Sequence, residues 1–186
     1  MGQPFKPLPV KLVIGLIAGE LSVFEKTKDL LSVKFGKVDF ISPVFDFDQT
    51  DYYEKEMGKG LKRVFLTFER LIGAEQLVVI KRFTNKMEEK LRQDAHNRSV
   101  NIDPGYMSLS KLVLATTKSF VHRIYCKDGI FEEITLLFKD RTFMPGPLTY
   151  PDYRSLTHIT MFNEIRNKYY EHIKKTYGLS QLYRCV

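Results

Sequence analysis

The chain has 186 residues, of which 44% are hydrophobic and 27% are charged, and its formal net charge is +7. These proportions are typical of a globular domain and exclude a disordered or fibrous chain. The length predicts a single domain over residues 1–186, with an N-terminal extension at 1–9 and a C-terminal tail at 179–186. The sequence has two cysteines and no apolar run of the roughly 18 residues that a membrane span needs. A cytoplasmic protein without a membrane partner is therefore expected.

The first half of the chain alternates strand and helix patterns. The predicted strands cover residues 10–17, 38–47, 61–71 and 99–103, and the predicted helices cover 22–36 and 77–91. Ser22 and Glu25 form a capping box, in which each side chain bonds a free backbone N–H of the other residue, and Gly36 suits the end of that helix. A turn is expected at Pro104-Gly105. The β-α-β-β-α-β order is that of the ferredoxin-like split βαβ arrangement, an antiparallel sheet with helices on one face.

The second half predicts an extension of that sheet. Residues 109–116 fit a short helix, with a strand as the alternative. The Asp-Gly pair at 128–129 joins two β-rich runs and is a strong signal for a two-residue hairpin. A last helix should begin after Asp152 or Ser155 and end at Gly178. The predicted fold class is α+β, a single domain with a ferredoxin-like core, extended by a C-terminal β-hairpin and helix.

The hairpin brings polar residues together. With a two-residue turn, His122 lies opposite Thr135, and both share the face opposite the core with Glu133. A carboxylate raises the pKa of a neighbouring imidazole towards neutrality, so such a pair can act as a general acid–base or bind a ligand. His122 and Glu133 are therefore the candidate catalytic residues, and an ordinary polar cross-strand cluster is the alternative. Arg123 would face the core and need Glu132 as its partner.

Two further clusters mix aromatic and polar residues outside any helical face. Residues 101–106 carry an amide, a carboxylate and a phenol, and residues 150–153 set two phenols around an acid. Turn geometry or helix capping explains each cluster alone, whereas one shared site would explain them together. The candidate ligand-binding residues are Tyr52, Tyr53, Asn101, Asp103, Tyr106, Lys111, Lys118, Arg123, Tyr150, Asp152 and Tyr153. In that site a lysine would contact an anion, and the tyrosines would stack on the ligand or bond it through their hydroxyls.

A metal site is a weaker hypothesis. Asp46, Asp48 and Asp51 follow an apolar strand, and clustered carboxylates are stabilised by Mg²⁺ or Ca²⁺. Residues 46–50 also fit the D-x-D-x-T spelling of aspartate-nucleophile phosphatases, but the later acidic residues of that machinery are missing. A solvated strand end is the alternative. The cofactor is therefore left open, with a divalent metal as the candidate.

Several strings of the sequence resemble a known family. They lie at residues 51–58, 101–106, 111–118, 122–125 and 150–153. Together they resemble a bacterial family catalogued as domain of unknown function 4416, over about residues 8 to 175. The resemblance implies no established activity, substrate or cofactor. Its strings do coincide with the polar clusters that chemistry singles out, which favours a site there without naming the ligand.

Two classes of function fit these observations. The first is a polar–aromatic cleft that binds a small anionic or nucleotide-like ligand, where a reaction could follow binding. The alternative is a nucleic-acid-binding module, in which basic helices contact RNA phosphates and aromatic side chains on the sheet stack on bases. An interaction module without a small ligand is a third option. The oligomeric state is left open.

Overall fold

The structure is a computed structural model that describes residues 2–50, 52–92 and 97–178. This part of the chain forms a single α+β domain, in which nine strands make one open antiparallel sheet and four α-helices pack against it. The strands are β1 Lys11–Ala18, β2 Val38–Ile41, β3 Phe45–Asp46, β4 Lys62–Phe68, β5 Val100–Met107, β6 Lys111–Thr116, β7 Ile124–Lys127, β8 Ile130–Lys139 and β9 Thr142–Pro145. The helices are α1 Leu21–Phe35, α2 Glu54–Met57, α3 Leu77–Lys90 and α4 Leu156–Tyr177.

The sheet is covered on both of its faces. The strand order is β2-β4-β1-β5-β6-β8-β7, with β3 also paired to β4 and β9 also paired to β8. Leu12, Ile14 and Leu16 of β1 pack with α1 and α3, whereas Val13 lies in the cluster that includes α4. Because β1 is buried on both sides, it is apolar from Leu12 to Ala18, and this explains why the sequence predicts it well.

Two predicted features of the first half need correction. Helix α1 begins at Leu21 without a side-chain cap, because the Ser22 hydroxyl bonds the Glu20 carboxylate instead of forming the capping box. The strand predicted over 38–47 is divided into β2 and β3 around Pro43, which has no N–H for a ladder bond. The short helix α2 lies in the connection between β3 and β4.

The turn predicted at Pro104-Gly105 is also wrong, since both residues lie inside β5. Gly105 is needed there because a Cβ would sit 2.3 Å from the carbonyl oxygen of Val113 on β6. Residues 109–116 contain the strand alternative, β6, and not a helix.

The hairpin at Asp128-Gly129 is present, and both turn residues have positive φ. Its register differs from the prediction because of an irregularity between Tyr125 and Lys127, so that Ile124 lies opposite Glu132. Helix α4 begins after Ser155, whose hydroxyl accepts the backbone N–H of His158 as an N-cap. No helix among the described residues combines the length and the apolarity needed to cross a bilayer.

Candidate functional site

Strands β5 and β6 form a fork. They pair only from Gly105 to Met107 on β5, and they separate towards the start of β5 and the end of β6. At the open end, the Ile102 N–H donates to Glu88 Oε1 at 2.7 Å, and the Ile102 carbonyl accepts from Lys81 Nζ at 3.0 Å. Two side chains of α3 thus bond the backbone groups that a neighbouring strand would otherwise pair. We call this open end the β5–β6 fork.

A cavity of about 380 Å³ lies at the β5–β6 fork. This volume falls within the usual range for small-molecule sites. Its lining combines residues of α2, α3, β5, the end of β6 and the segment before α4. It includes eight of the predicted site residues: Tyr52, Tyr53, Asn101, Asp103, Lys118, Glu133, Tyr150 and Tyr153. Residues more than 90 positions apart in sequence are therefore neighbours in one hollow.

One wall of the cavity is a connected polar network centred on Arg98. The Arg98 guanidinium lies 2.9 Å from Glu88 and 2.8 Å from Glu56, and it also donates to Asn101 Oδ1 at 3.2 Å. Asn101 Nδ2 in turn donates to Asp103 Oδ2 at 2.6 Å. Burial raises the pKa of Glu88, and the nearby Lys81 charge opposes that rise. These contacts hold β5 and α2 to α3 and fix the positions of the lining carboxylates.

Arg63 lies fully buried behind this wall. Its Nη2 is 2.8 Å from Asp152, and its Nη1 is 3.7 Å from Asp103. The guanidinium carbon lies 5.0 to 5.5 Å from the ring centroids of Phe47, Phe65 and Tyr153. Gly15 makes room for it, because a Cβ there would lie 2.7 Å from Nη1. Asp152 therefore binds Arg63 and is not among the lining residues.

Arg123 is the centre of a second cluster at the opposite wall. Its Nε donates to Glu133 Oε2 at 2.6 Å, its Nη1 to the Lys118 carbonyl at 3.2 Å, and its Nη2 to the Tyr150 hydroxyl at 2.5 Å. Arg123 is not itself among the lining residues, but all three of its partners are. Its carboxylate partner is Glu133 and not the predicted Glu132, because the hairpin register is shifted at the irregularity in β7.

The predicted pair of His122 and Glu133 is in contact. His122 Nε2 lies 3.0 Å from Glu133 Oε2, the same oxygen that accepts from Arg123. Glu133 is only 3% exposed and Thr135 only 1%, so the expectation that they face away from the core is wrong. The irregular pairing of β6 with β8 between Leu112 and Val113 accounts for this, since it shifts which side chains share a face. His122 is not among the lining residues.

The rim of the cavity carries lysines and tyrosines. Lys118 Nζ donates to the Tyr52 hydroxyl at 2.7 Å and lies 3.9 Å from the centroid of that ring. Within the described residues neither Lys118 nor Lys86, which also lines the cavity, pairs with a carboxylate. Burial raises the pKa values of Tyr53 and Tyr150, so both phenols keep their protons at neutral pH.

Tyr106 and Lys111 lie outside this cavity. Both line a different hollow of about 310 Å³, near the N-terminal segment and Tyr169 of α4. Burial and the nearby Glu132 charge raise the pKa of Tyr106 to about 12. Tyr106 also packs against the apolar clusters beside α3, so the structure gives it a role in the core.

Asp46 and Asp48, the two predicted metal ligands within the described residues, do not belong to a group of side chains that could hold a metal ion. The Asp46 carboxylate accepts from Lys62 at 2.5 Å, Asp48 accepts from Gln49 at 2.7 Å, and both aspartates are exposed. Asp51 lies outside the described residues. Over residues 2–50, 52–92 and 97–178, no group of three or more His, Cys, Asp or Glu side chains is arranged to hold a metal ion.

The sequence patterns did not identify several charged residues of the site, among them Arg63, Lys81, Glu88 and Arg98. Lys81 lies on α3, and its buried side chain bonds β5. The sequence does contain a signal that Lys81 and Glu88 are buried, because their spacing places both on the same helical face as Thr84, which is buried too. For Arg63 the signal was a charge directly before the mostly apolar run 64–68 of β4.

The fold and this geometry define a single-domain α+β protein with a polar cavity at a fork in its sheet. The chain belongs to the family described as domain of unknown function (DUF4416), whose model matches residues 8–169. All residues that line the cavity lie within the matched range. No curated protein and no solved structure matches the chain.

Proposed function

We propose that the cavity at the β5–β6 fork binds a small anionic or nucleotide-like ligand. The observation that carries this proposal is the division of charge within the cavity. Arg98 and Lys81 already contact carboxylates at the inner wall, whereas the rim lysines Lys118 and Lys86 have no carboxylate partner among the described residues. An anionic group of a ligand would therefore be attracted to the rim and not to the inner wall.

The remaining lining suits the uncharged part of such a ligand. Tyr52 and Tyr53 meet edge to face at 5.0 Å between ring centroids, next to Lys118. Aromatic rings in this position can stack on a base or cover the apolar face of a sugar. Asp103 is partly exposed at the inner wall, and its carboxylate oxygens can accept hydrogen bonds from hydroxyl or amino groups.

The contacts favour binding over catalysis. An acid–base role for His122 and Glu133 is supported by their 3.0 Å contact. The same Glu133 oxygen also accepts from Arg123, however, and His122 does not line the cavity. Binding is therefore the main function that we propose, and proton transfer by this pair is a second step that depends on it.

A titration with matched lysine variants tests the proposal. Inorganic phosphate, ribose 5-phosphate and AMP would each be titrated calorimetrically into the wild-type protein, Lys118→Ala and Lys111→Ala. Lys111 is the matched control. It is the first residue of β6, whereas Lys118 follows the end of that strand, and it lines a different hollow. Lys118→Ala should lose about tenfold in affinity for the two phosphate esters, because one phosphate–lysine contact is removed. Equal affinities of the two variants, or no binding to wild type, would refute a phosphate site at this rim.

The RNA alternative gains less support from the packing. The aromatic side chains on the α4 side of the sheet, Phe40, Phe45, Phe65 and Phe138, pack in the cluster that includes α4. Helix α4 therefore covers the surface on which bases would stack. A single-stranded RNA oligonucleotide belongs in the same titration. Tight binding to RNA that falls steeply with added salt would favour this alternative.

We also propose a ferredoxin-like core and a cytoplasmic location. The order β2-β4-β1-β5, with all neighbours antiparallel, supports the core assignment. Superposition of an experimental structure on known ferredoxin-like domains tests it. The low cysteine content and the exposed free thiol of Cys126 support a reducing compartment, and cell fractionation tests that location.

A further inference from the structure

One carboxylate oxygen of Glu133 has no partner among the described residues. Its Oε2 atom accepts from Arg123 and contacts His122, whereas no described residue donates to its Oε1 atom, which is buried. The side chain is 2% exposed, yet Glu133 lines the cavity at the β5–β6 fork. A buried carboxylate oxygen without a donor costs free energy, and native structures leave few of them.

The position of Glu133 explains which oxygen is available to a ligand. Arg123 holds Oε2, so Oε1 is the oxygen of this cavity-lining residue that has no donor among the described residues. Rotation about the last side-chain bond of a glutamate costs little energy. A small rotation of the carboxylate can therefore present Oε1 to a group inside the cavity. Arg123 can stay bonded to Oε2 during that rotation.

We infer that Glu133 Oε1 accepts a hydrogen bond from the ligand and that Glu133 thereby determines which ligands bind. This inference rests on the proposed function and narrows its ligand class. The ligand is a phosphate ester whose body carries a hydroxyl or amino donor, such as a sugar phosphate or a nucleoside monophosphate. The anionic group lies at the rim beside Lys118, and the donor points to Glu133.

The charges around Glu133 support a neutral donor over a second anionic group. Glu133 and Arg123 form a close pair, and Asp103 lines the same cavity. A second anionic group placed against these carboxylates would meet like charge in a partly buried site. A water molecule held between Glu133 and Thr135 is the competing occupant, because the Thr135 hydroxyl is also buried and has no partner in the described part of the chain.

Glu133→Gln tests the inference because it changes the hydrogen-bonding character of one atom. Arg123 donates only, so the amide oxygen should take the place of Oε2, and the amide NH₂ should take the place of Oε1. The cavity then presents a donor where it presented an acceptor. Glu132→Gln is the matched control, since Glu132 is the neighbouring residue on β8 and does not line the cavity.

The readout is calorimetric titration with whichever of ribose 5-phosphate and AMP binds wild type more tightly. Glu133→Gln should weaken binding at least tenfold, while its affinity for inorganic phosphate and the affinity of Glu132→Gln for the ester stay unchanged. Equal affinities of Glu133→Gln and wild type for the ester would overturn the inference and leave the proposed function standing. No binding of any phosphate compound to wild type would overturn both.

A ligand series gives an answer even if Glu133→Gln does not fold. For AMP, the 2′-deoxy, 3′-deoxy and 6-desamino analogues each lack one donor, and for ribose 5-phosphate the 2-deoxy analogue serves the same purpose. One deletion should cost wild type at least tenfold in affinity, because it leaves the carboxylate oxygen unpaired in the complex. That same deletion should cost folded Glu133→Gln nothing further. If every analogue binds wild type as tightly as its parent, water and not the ligand satisfies Glu133, and the inference is wrong.

Discussion

Two stretches of strand β5 differ in what holds their backbone. From Gly105 to Met107 the strand pairs with β6 in an ordinary antiparallel ladder, and the neighbouring side chains form apolar core. At Ile102 the strand bonds the side chains of Lys81 and Glu88 instead. Both stretches pair with β1, but only the stretch from Gly105 to Met107 also pairs with β6, and the other leaves room for the cavity. At Ile102, side chains of α3 therefore take the place of β6 on the second edge of β5.

The open stretch is built from charges that are costly to bury. Lys81 and Glu88 are each 6% exposed, and Arg63 is 4% exposed. Burial disfavours such charges unless each has a partner, and here each is matched by an opposite charge or a backbone group. We therefore expect the open stretch to be more sensitive to a single substitution than the paired stretch, and we expect ligand binding to depend on it.

The largest effect should follow from Glu88→Ala. This substitution removes the acceptor of the Ile102 N–H and leaves Arg98 with one carboxylate fewer, so unfolding should become about 3–5 kcal/mol easier. Urea denaturation measures the change. Glu89→Ala is the control, because Glu89 is exposed and pairs with Arg92 one helical turn away, and it should cost less than about 1 kcal/mol. Similar losses in both variants would contradict a special role for Glu88.

An intermediate effect is expected from Gly15→Ala. Gly15 lies opposite Asp103 in the ladder between β1 and β5, and the new Cβ would force the Arg63 guanidinium to move. Overpacking of this kind costs about 1–3 kcal/mol. Gly19→Ala is the matched control, because the nearest atom to its Cβ is 4.0 Å away. If thermal denaturation gives the two variants the same melting temperature, Arg63 is not confined as described.

The smallest effect on stability is expected at Glu132 of β8, which lies opposite Ala115 near the end of β6. Burial raises the pKa of Glu132, so the folded state favours its protonated form. This contribution to the free energy of unfolding is fully present below the pKa of the unfolded state, which is about 4.3. It is lost as the pH rises through the raised pKa of the folded state.

Glu132→Gln removes this titration. The stability of the variant relative to wild type should therefore increase from pH 4 to pH 7, by less than about 1 kcal/mol because the side chain is partly exposed. Melting temperatures of both proteins at the two pH values measure the difference. A relative stability that stays constant or falls with pH would have the wrong sign.

Local patterns predicted most of the elements but not the fork. The buried run of β1, the Asp-Gly hairpin and the helix ending at Gly178 are each encoded by neighbouring residues, and all three are present. Pro104-Gly105 has the composition of a turn, but it lies in a strand because β1 and β6 flank it. Sequence patterns cannot reveal this, since the flanking strands are distant along the chain.

The candidate site was predictable only in part for the same reason. Polar and aromatic residues outside helical faces marked eight residues of the lining. The pairing of Arg123 with Glu133 depends on two strand irregularities that leave no signal in composition. The buried roles of Lys81 and Glu88 depend on the end of the β6 pairing before Ile102, which is a property of the assembled sheet.

An amide NMR titration of the wild-type protein with AMP tests most directly whether the β5–β6 fork is a ligand-binding site. Chemical shifts should change at residues 101–103, 115–118 and 150–153, next to the lining side chains, while the stretch paired with β6 at 105–107 and the outer turns of α4 stay constant. Shift changes concentrated on α4, or an unchanged spectrum at millimolar AMP, would contradict it.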